Sequence, residues 1–94
     1  MDGDPRQQAA ETELYRHMMC SSGGLMLLIR LRAQLDRCPE DWLRRVASDP
    51  GSPELREQLA VVSTLGWLER KFGRINARRA LRETAGVILG AHAV

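Results

Sequence analysis

Aromatic side chains are almost missing from the sequence: Tyr15, Trp42, Trp67 and Phe72 are all there are. So few rings cannot form a platform on which single-stranded bases stack. Cysteine is nearly as scarce. Cys20 and Cys38 are too few for a disulfide scaffold and read as free thiols of a reducing cytoplasm. Lysine occurs once, as Lys71, against thirteen arginines. That bias reads mainly as G+C-rich coding of bacterial or phage type, and only secondly as a preference for bidentate contacts. The longest apolar run, Leu25 to Ile29, is far short of the ~20 residues a membrane span needs. The acidic opening Met-Asp-Gly-Asp-Pro lacks a signal-peptide pattern. No β-branched stretch alternates with period two, so no strand is expected.

What remains is a globular composition, 44% apolar and 28% charged, spread over a single domain, residues 1–94, with 1–4 expected to form a disordered tail. A chain of this size buries only about 60–65% of its surface on folding, so a lone core is marginal and self-association is a common remedy.

Helix signals recur. Asp4-Pro5 starts a first helix to about Cys20, with Leu14, His17, Met18 and Ala10 as its apolar stripe. Ser21-Ser22-Gly23-Gly24 breaks or kinks it, and a serine there can cap the next helix. A second helix covers Leu25 to about Arg37. Its first half is apolar all round, which predicts burial on most sides. Pro39 opens a short third helix with Trp42, Leu43 and Val46 as its patch. Ser52, Pro53 and Glu54 start a fourth, whose residues Leu55, Leu59, Val62, Leu65, Leu68 and Phe72 keep helical spacing as far as a stop at Gly73. Gly66 leaves room for close approach by another helix. Asn76 is expected to cap a fifth, running to about Ala91, with Ala80, Leu81, Thr84, Ala85, Val87, Ile88 and Leu89 as its stripe. The fold class is therefore all-α, a compact bundle of four to five helices, expected to be dimeric.

Motifs for catalysis are missing. There is no Gly-rich phosphate loop after a strand, no paired nucleophile and base, and no spaced carboxylate pair. Arg30, Arg32 and Arg37 point around their helix instead of sharing a face. No enzyme activity is expected. His17 and Cys20, at i and i+3, with Cys38 and His92, make four atoms that bind metals, but no Cys-x-x-Cys or His-x-x-x-His pair supports them. The expectation is no metal and no cofactor. Cys38, beside Arg37 at a helix start, is the better candidate for a reactive thiol.

Charge is distributed unevenly. Net charge is only +2, yet Arg70, Lys71, Arg74, Arg78, Arg79 and Arg82 fall in a stretch with no acid. Arg74, Arg78 and Arg82 share one helix face. Such a patch meets either phosphates or an acidic protein surface. The apolar surplus is the stronger signal. It points to a small cytoplasmic, non-enzymatic regulatory or adaptor protein that docks helices on a protein partner. The partner is expected to be a regulator, such as a transcription factor met by an anti-activator, and the chain is expected to form a homodimer. Anchors for either contact are Leu25, Leu28, Ile29, Trp67, Leu68 and Phe72. The alternative is a DNA-binding transcriptional regulator that uses the basic patch of residues 70–82, for instance as a helix-turn-helix.

Overall fold

The computed structural model describes residues 5–92, and within them every regular element is a helix. The expected cap Asp4 and the expected tail 1–4 lie outside the described residues. The order is α1 (Pro5–Cys20), α2 (Ser22–Leu35), α3 (Glu40–Ser48), a 3-10 turn (Pro53–Glu57), α4 (Leu59–Phe72) and α5 (Arg74–His92). The Cα radius of gyration is 13.3 Å, close to the ~12 Å of a compact chain this long.

One core unites the helices. Met18, Leu31, Leu35, Leu43, Val46, Leu68 and Leu81 are wholly sealed from solvent, and Trp42, Val61, Ala77, Ala80 and Ile88 nearly so. The stripe of α1 is Tyr15 and Met18. Leu14 stays about a third exposed, and His17 and Ala10 face solvent. Met18 is therefore inward as predicted, while the rest of the predicted stripe faces solvent and Tyr15, whose hydroxyl meets Glu83 of α5, takes its place.

The α1–α2 joint is a single residue. Ser21 sits in an extended conformation and its Oγ accepts the amide of Gly24 at 3.1 Å, the expected serine cap. Ser22, Gly23 and Gly24 therefore belong to the first turn of α2, not to a break. Between α2 and α4 the Thr64 hydroxyl donates to Gln34 Oε1 at 2.8 Å, which satisfies two polar groups beside the core. On α3, Trp42, Leu43 and Val46 are buried as their spacing requires.

The expected long fourth helix is interrupted. Ser52 caps only a 3-10 turn, and Gln58 (φ −118°, ψ 83°) is not helical. The cause is tertiary. Trp42 Nε1 donates to the Glu54 carbonyl at 2.9 Å, and the Glu54 carboxylate pairs with Arg45 of the same helix, α3. These contacts hold the turn against α3, so α4 starts afresh at Leu59 in a new register. Val61, Thr64, Leu65, Leu68 and Phe72 face inward, whereas Leu59, expected in the stripe, is 75% exposed.

At the α4–α5 junction Gly73 takes φ +90° and its N–H bonds the Glu69 carbonyl. This is the predicted stop, in a backbone region that favours glycine. Asn76 is not the cap of α5. It is buried in the first turn, and its Nδ2 donates to the Phe72 carbonyl at 2.9 Å, tying off the end of α4. One residue between helices is shorter than the three- to four-residue turn of a helix-turn-helix. Gly66 meets no neighbour within 4 Å of a would-be Cβ, so no helix approaches there. On α5, Ala77, Ala80, Leu81, Ala85 and Ile88 pack inward, while Val87 is 56% exposed.

Candidate functional site

The apolar run of α2 supplies the first candidate surface. Successive residues of a helix are turned by about 100°, so five apolar residues in a row cover every side. The core accepts only part of that circle. Leu31 and Leu35 carry the buried line onward, Leu27 and Leu28 are half-buried, and Leu25, Met26 and Ile29 face outward, at 47%, 67% and 58% exposure. The predicted burial of this half-helix on most sides therefore does not hold within one chain.

Ile29 lies between two grooves. The first, about 400 Å³, runs between α1, α2 and α5 over Tyr15, Met19, Leu28 and Val87, with Arg32 and Glu83 at its edge. The second, about 490 Å³, runs between α2 and α4 over Met26, Leu27, Ala33 and the half-exposed Trp67, with Arg30 and Lys71 at its rim and no carboxylate in its lining. Arg70 stacks 5.2 Å above the Trp67 ring, adding a third cation beside this groove. Met19, Met26 and Ile29 beside Trp67 and Val87 thus form a contiguous apolar strip with a mostly cationic border.

Of the six predicted anchors, Ile29 and Trp67 are on this strip, Leu28 is half-buried at its edge, and Leu25 is exposed on α2 but lines neither groove. Leu68 (0%) and Phe72 (6%) are core residues. They follow the inward register of α4, which turns Trp67 outward, and so cannot touch a partner without unpacking the domain. Val87, expected in the inward stripe of α5, is a surface residue, and Met19 and Met26 also face outward. Their exposure depends on which side of α1, α2 and α5 the core occupies.

The six-residue basic patch is real in sequence but divided in space. Arg70 lies over Trp67, and Lys71 lies beside the start of α2, its Nζ 3.5 Å from where a Gly23 Cβ would sit. Arg74 pairs with Glu69 at 3.3 Å. Arg79 stacks 4.0 Å over Tyr15 and reaches Glu83 at 3.4 Å. Arg78 and Arg82 are exposed and have no ion-pair partner among the described residues. Arg78 also lines a cleft with Arg56 of the 3-10 turn, a residue that sequence spacing could not associate with the patch.

Tyr15, Glu83 and Arg79 form a polar clasp between α1 and α5, in which the Tyr15 hydroxyl donates to Glu83. Burial, the hydrogen bond to Glu83 and the charge of Glu83 push the Tyr15 pKa up from 10.0 to about 12, while Arg79 and Arg82 oppose the shift. The unfolded phenol loses its proton first. Between about pH 10 and pH 12 the folded state therefore binds more protons, and stability falls as pH rises through that window. Tyr15→Phe is expected to remove this part of the alkaline loss and to cost about 1 kcal/mol at neutral pH, the worth of one partly buried hydrogen bond. Urea titrations of both proteins at neutral pH and across pH 10–12 check this. Equal alkaline losses would dismiss the clasp.

The thiols offer less. Cys20 is exposed, and Cys38 is half-buried with its S–H donated to the Gln34 carbonyl at 3.4 Å. Burial raises the Cys38 pKa, the opposite of what a reactive thiolate needs. The side chain of His92 lies outside the described residues. Among the described ones, no group of three or more His, Cys, Asp or Glu is placed to hold a metal. No described helix is long and apolar enough to cross a membrane. No family model matches the sequence, and no curated protein and no solved structure is significantly similar to it.

Proposed function

We propose that this chain is a non-enzymatic regulatory or adaptor protein that binds an amphipathic helix of a protein partner on the apolar strip centred on Ile29. The observation that carries the reading is the pair of grooves sharing Ile29, one of them lined by Met26 and Trp67 and rimmed only by cations. Charge complementarity selects the occupant. An apolar helix edge flanked by Glu or Asp would meet Arg30, Arg70 and Lys71, which steer approach and fix orientation, while Met26, Ile29 and Trp67 supply buried area. A second copy of the chain suits the groove less well. A two-fold seam centred there would set each cationic rim against its own kind. The partner class we propose is a transcription regulator whose own dimerisation or working surface the strip engages, as an anti-activator would. This last step rests on architecture alone.

The test uses two synthetic amphipathic helices with the same leucine edge, one flanked by Glu and one by Lys. Fluorescence polarisation is expected to show the Glu peptide binding at least tenfold more tightly. Ile29→Glu should weaken it by about thirtyfold, a hot-spot loss of about 2 kcal/mol, with the fold intact by circular dichroism. Equal binding of both peptides, or binding untouched by Ile29→Glu, overturns the reading. Sedimentation at micromolar concentration is expected to give a monomer. A dimer broken by Ile29→Glu would assign the strip to a second copy instead.

A DNA-binding regulator is the second reading, favoured by Arg78 and Arg82, which are exposed and have no ion-pair partner among the described residues. It requires duplex affinity that falls steeply with salt and is lost with Arg74, Arg78 and Arg82 together. Absence of a gel shift at ~50 mM salt dismisses it.

A further inference from the structure

On a surface separate from the apolar strip, a cleft of about 490 Å³ opens between the 50–53 turn, the 3-10 turn and the α4–α5 pair. Its polar walls are Arg56 from the 3-10 turn and Arg74 and Arg78 from α5, faced by one carboxylate, Glu69. Glu69 is committed to Arg74 at 3.3 Å, so Arg56 and Arg78 remain as two guanidiniums without an ion-pair partner among the described residues. The floor is apolar: Leu55 and Val62 are half-buried, and Leu65 and Ala77 are buried.

The 50–53 turn packs beside α5 at Gly51. A Cβ there would lie 3.7 Å from the Arg78 guanidinium, in ordinary contact, so the turn lies directly against that side chain. Arg78 also borders a second, smaller hollow with Arg79 and Arg82, where the Asp49 carboxylate offsets part of the positive charge.

Two guanidinium forks with no ion-pair partner among the described residues, above an apolar floor, have a definite chemical complement. A fork matches the paired oxygens of a phosphate, giving charge-assisted, bidentate bonds. A bare phosphate ion would leave the floor uncovered, whereas the apolar body of a phosphate ester covers it. We infer that this cleft binds a small organic phosphate monoester, its phosphate held by Arg56 and Arg78 and its apolar group seated on Leu55 and Val62.

Phenyl phosphate, inorganic phosphate and benzyl alcohol are the probes, titrated by NMR shift perturbation of the full chain at low ionic strength. Phenyl phosphate is expected to bind at least tenfold more tightly than either of the others and to shift the amides of residues 51–56 and 77–78. Arg56→Ala and Arg78→Ala should each weaken it about tenfold, and Arg78→Lys several-fold, because the charge remains but the fork is lost. Arg30→Ala, on the apolar strip, changes net charge equally and should leave phenyl phosphate binding unchanged.

Two results overturn the inference. One is equal binding of inorganic phosphate and phenyl phosphate. The other is an Arg30→Ala loss matching that of Arg78→Ala, which would reduce the effect to diffuse charge. Because Ile29→Glu reports on the apolar strip alone, failure there leaves this result readable.

Discussion

Trp42→Ala is expected to lower the unfolding free energy by about 3–5 kcal/mol, the range for truncating a buried large aromatic side chain. A domain of this length holds about 5–14 kcal/mol in total, so much of the stability goes with one ring. The corresponding fall in melting temperature is about 15–30 °C. Two losses combine. The ring is 1% exposed and packs in the core, and its Nε1 is the donor that holds the Glu54 carbonyl and hence the 3-10 turn. Trp42→Phe separates them. It keeps most of the packing and leaves the carbonyl without its donor, so about 1–2 kcal/mol should be lost. Urea unfolding monitored by far-ultraviolet circular dichroism measures both. A Trp42→Ala cost below about 1 kcal/mol, outside the known range for buried aromatic truncations, would contradict the packing described for α3.

The neighbouring glycines at the start of α2 are expected to respond with opposite sign. A Cβ on Gly24 would overlap the Met18 carbonyl oxygen, and would come within 2.8 Å of its carbonyl carbon and 2.9 Å of Ser21 Oγ. Two of these three atoms are backbone, so relief requires opening the α1–α2 joint itself. Gly24→Ala should cost about 3 kcal/mol or more, at the upper end of overpacking penalties. At Gly23 a Cβ would meet only the flexible Lys71 Nζ, at 3.5 Å. Gly23→Ala is therefore expected to stabilise by about 0.5–1 kcal/mol through helix propensity. The pair is an internal control, since both changes add the same methyl to the same turn. If Gly24→Ala unfolds at the same urea concentration as the parent, the close approach at the joint is wrong. The consequence reaches the apolar strip, because the joint sets Met19 of α1 beside Ile29 of α2 along one groove.

Much of the helical content was legible because it rests on interactions within a turn or two. Ser21 as a cap, Gly73 as a stop, and Trp42, Leu43 and Val46 as one inward patch all depend on neighbours three or four residues away. The errors also share a cause. The spacing from Leu55 to Phe72 satisfies a helix, but Trp42 and Arg45 capture Glu54 and divide the segment. Asn76 looks like an N-cap by composition, yet the Phe72 carbonyl behind it is the better partner once α4 ends at Gly73.

Of the candidate surfaces, the sequence alone shows that α2 carries more apolar surface than one side of a helix can bury, and that arginines crowd residues 70–82. It could not determine direction. A helix apolar all round has no preferred inward side until neighbours are packed on it. Packing of the helices turns Leu31 and Leu35 in, leaves Met26 and Ile29 out, and sets Trp67 outward while Leu68 is inward. Only it brought Arg56 to Arg78, because residues far apart in sequence meet through packing, and local spacing carries no information about that.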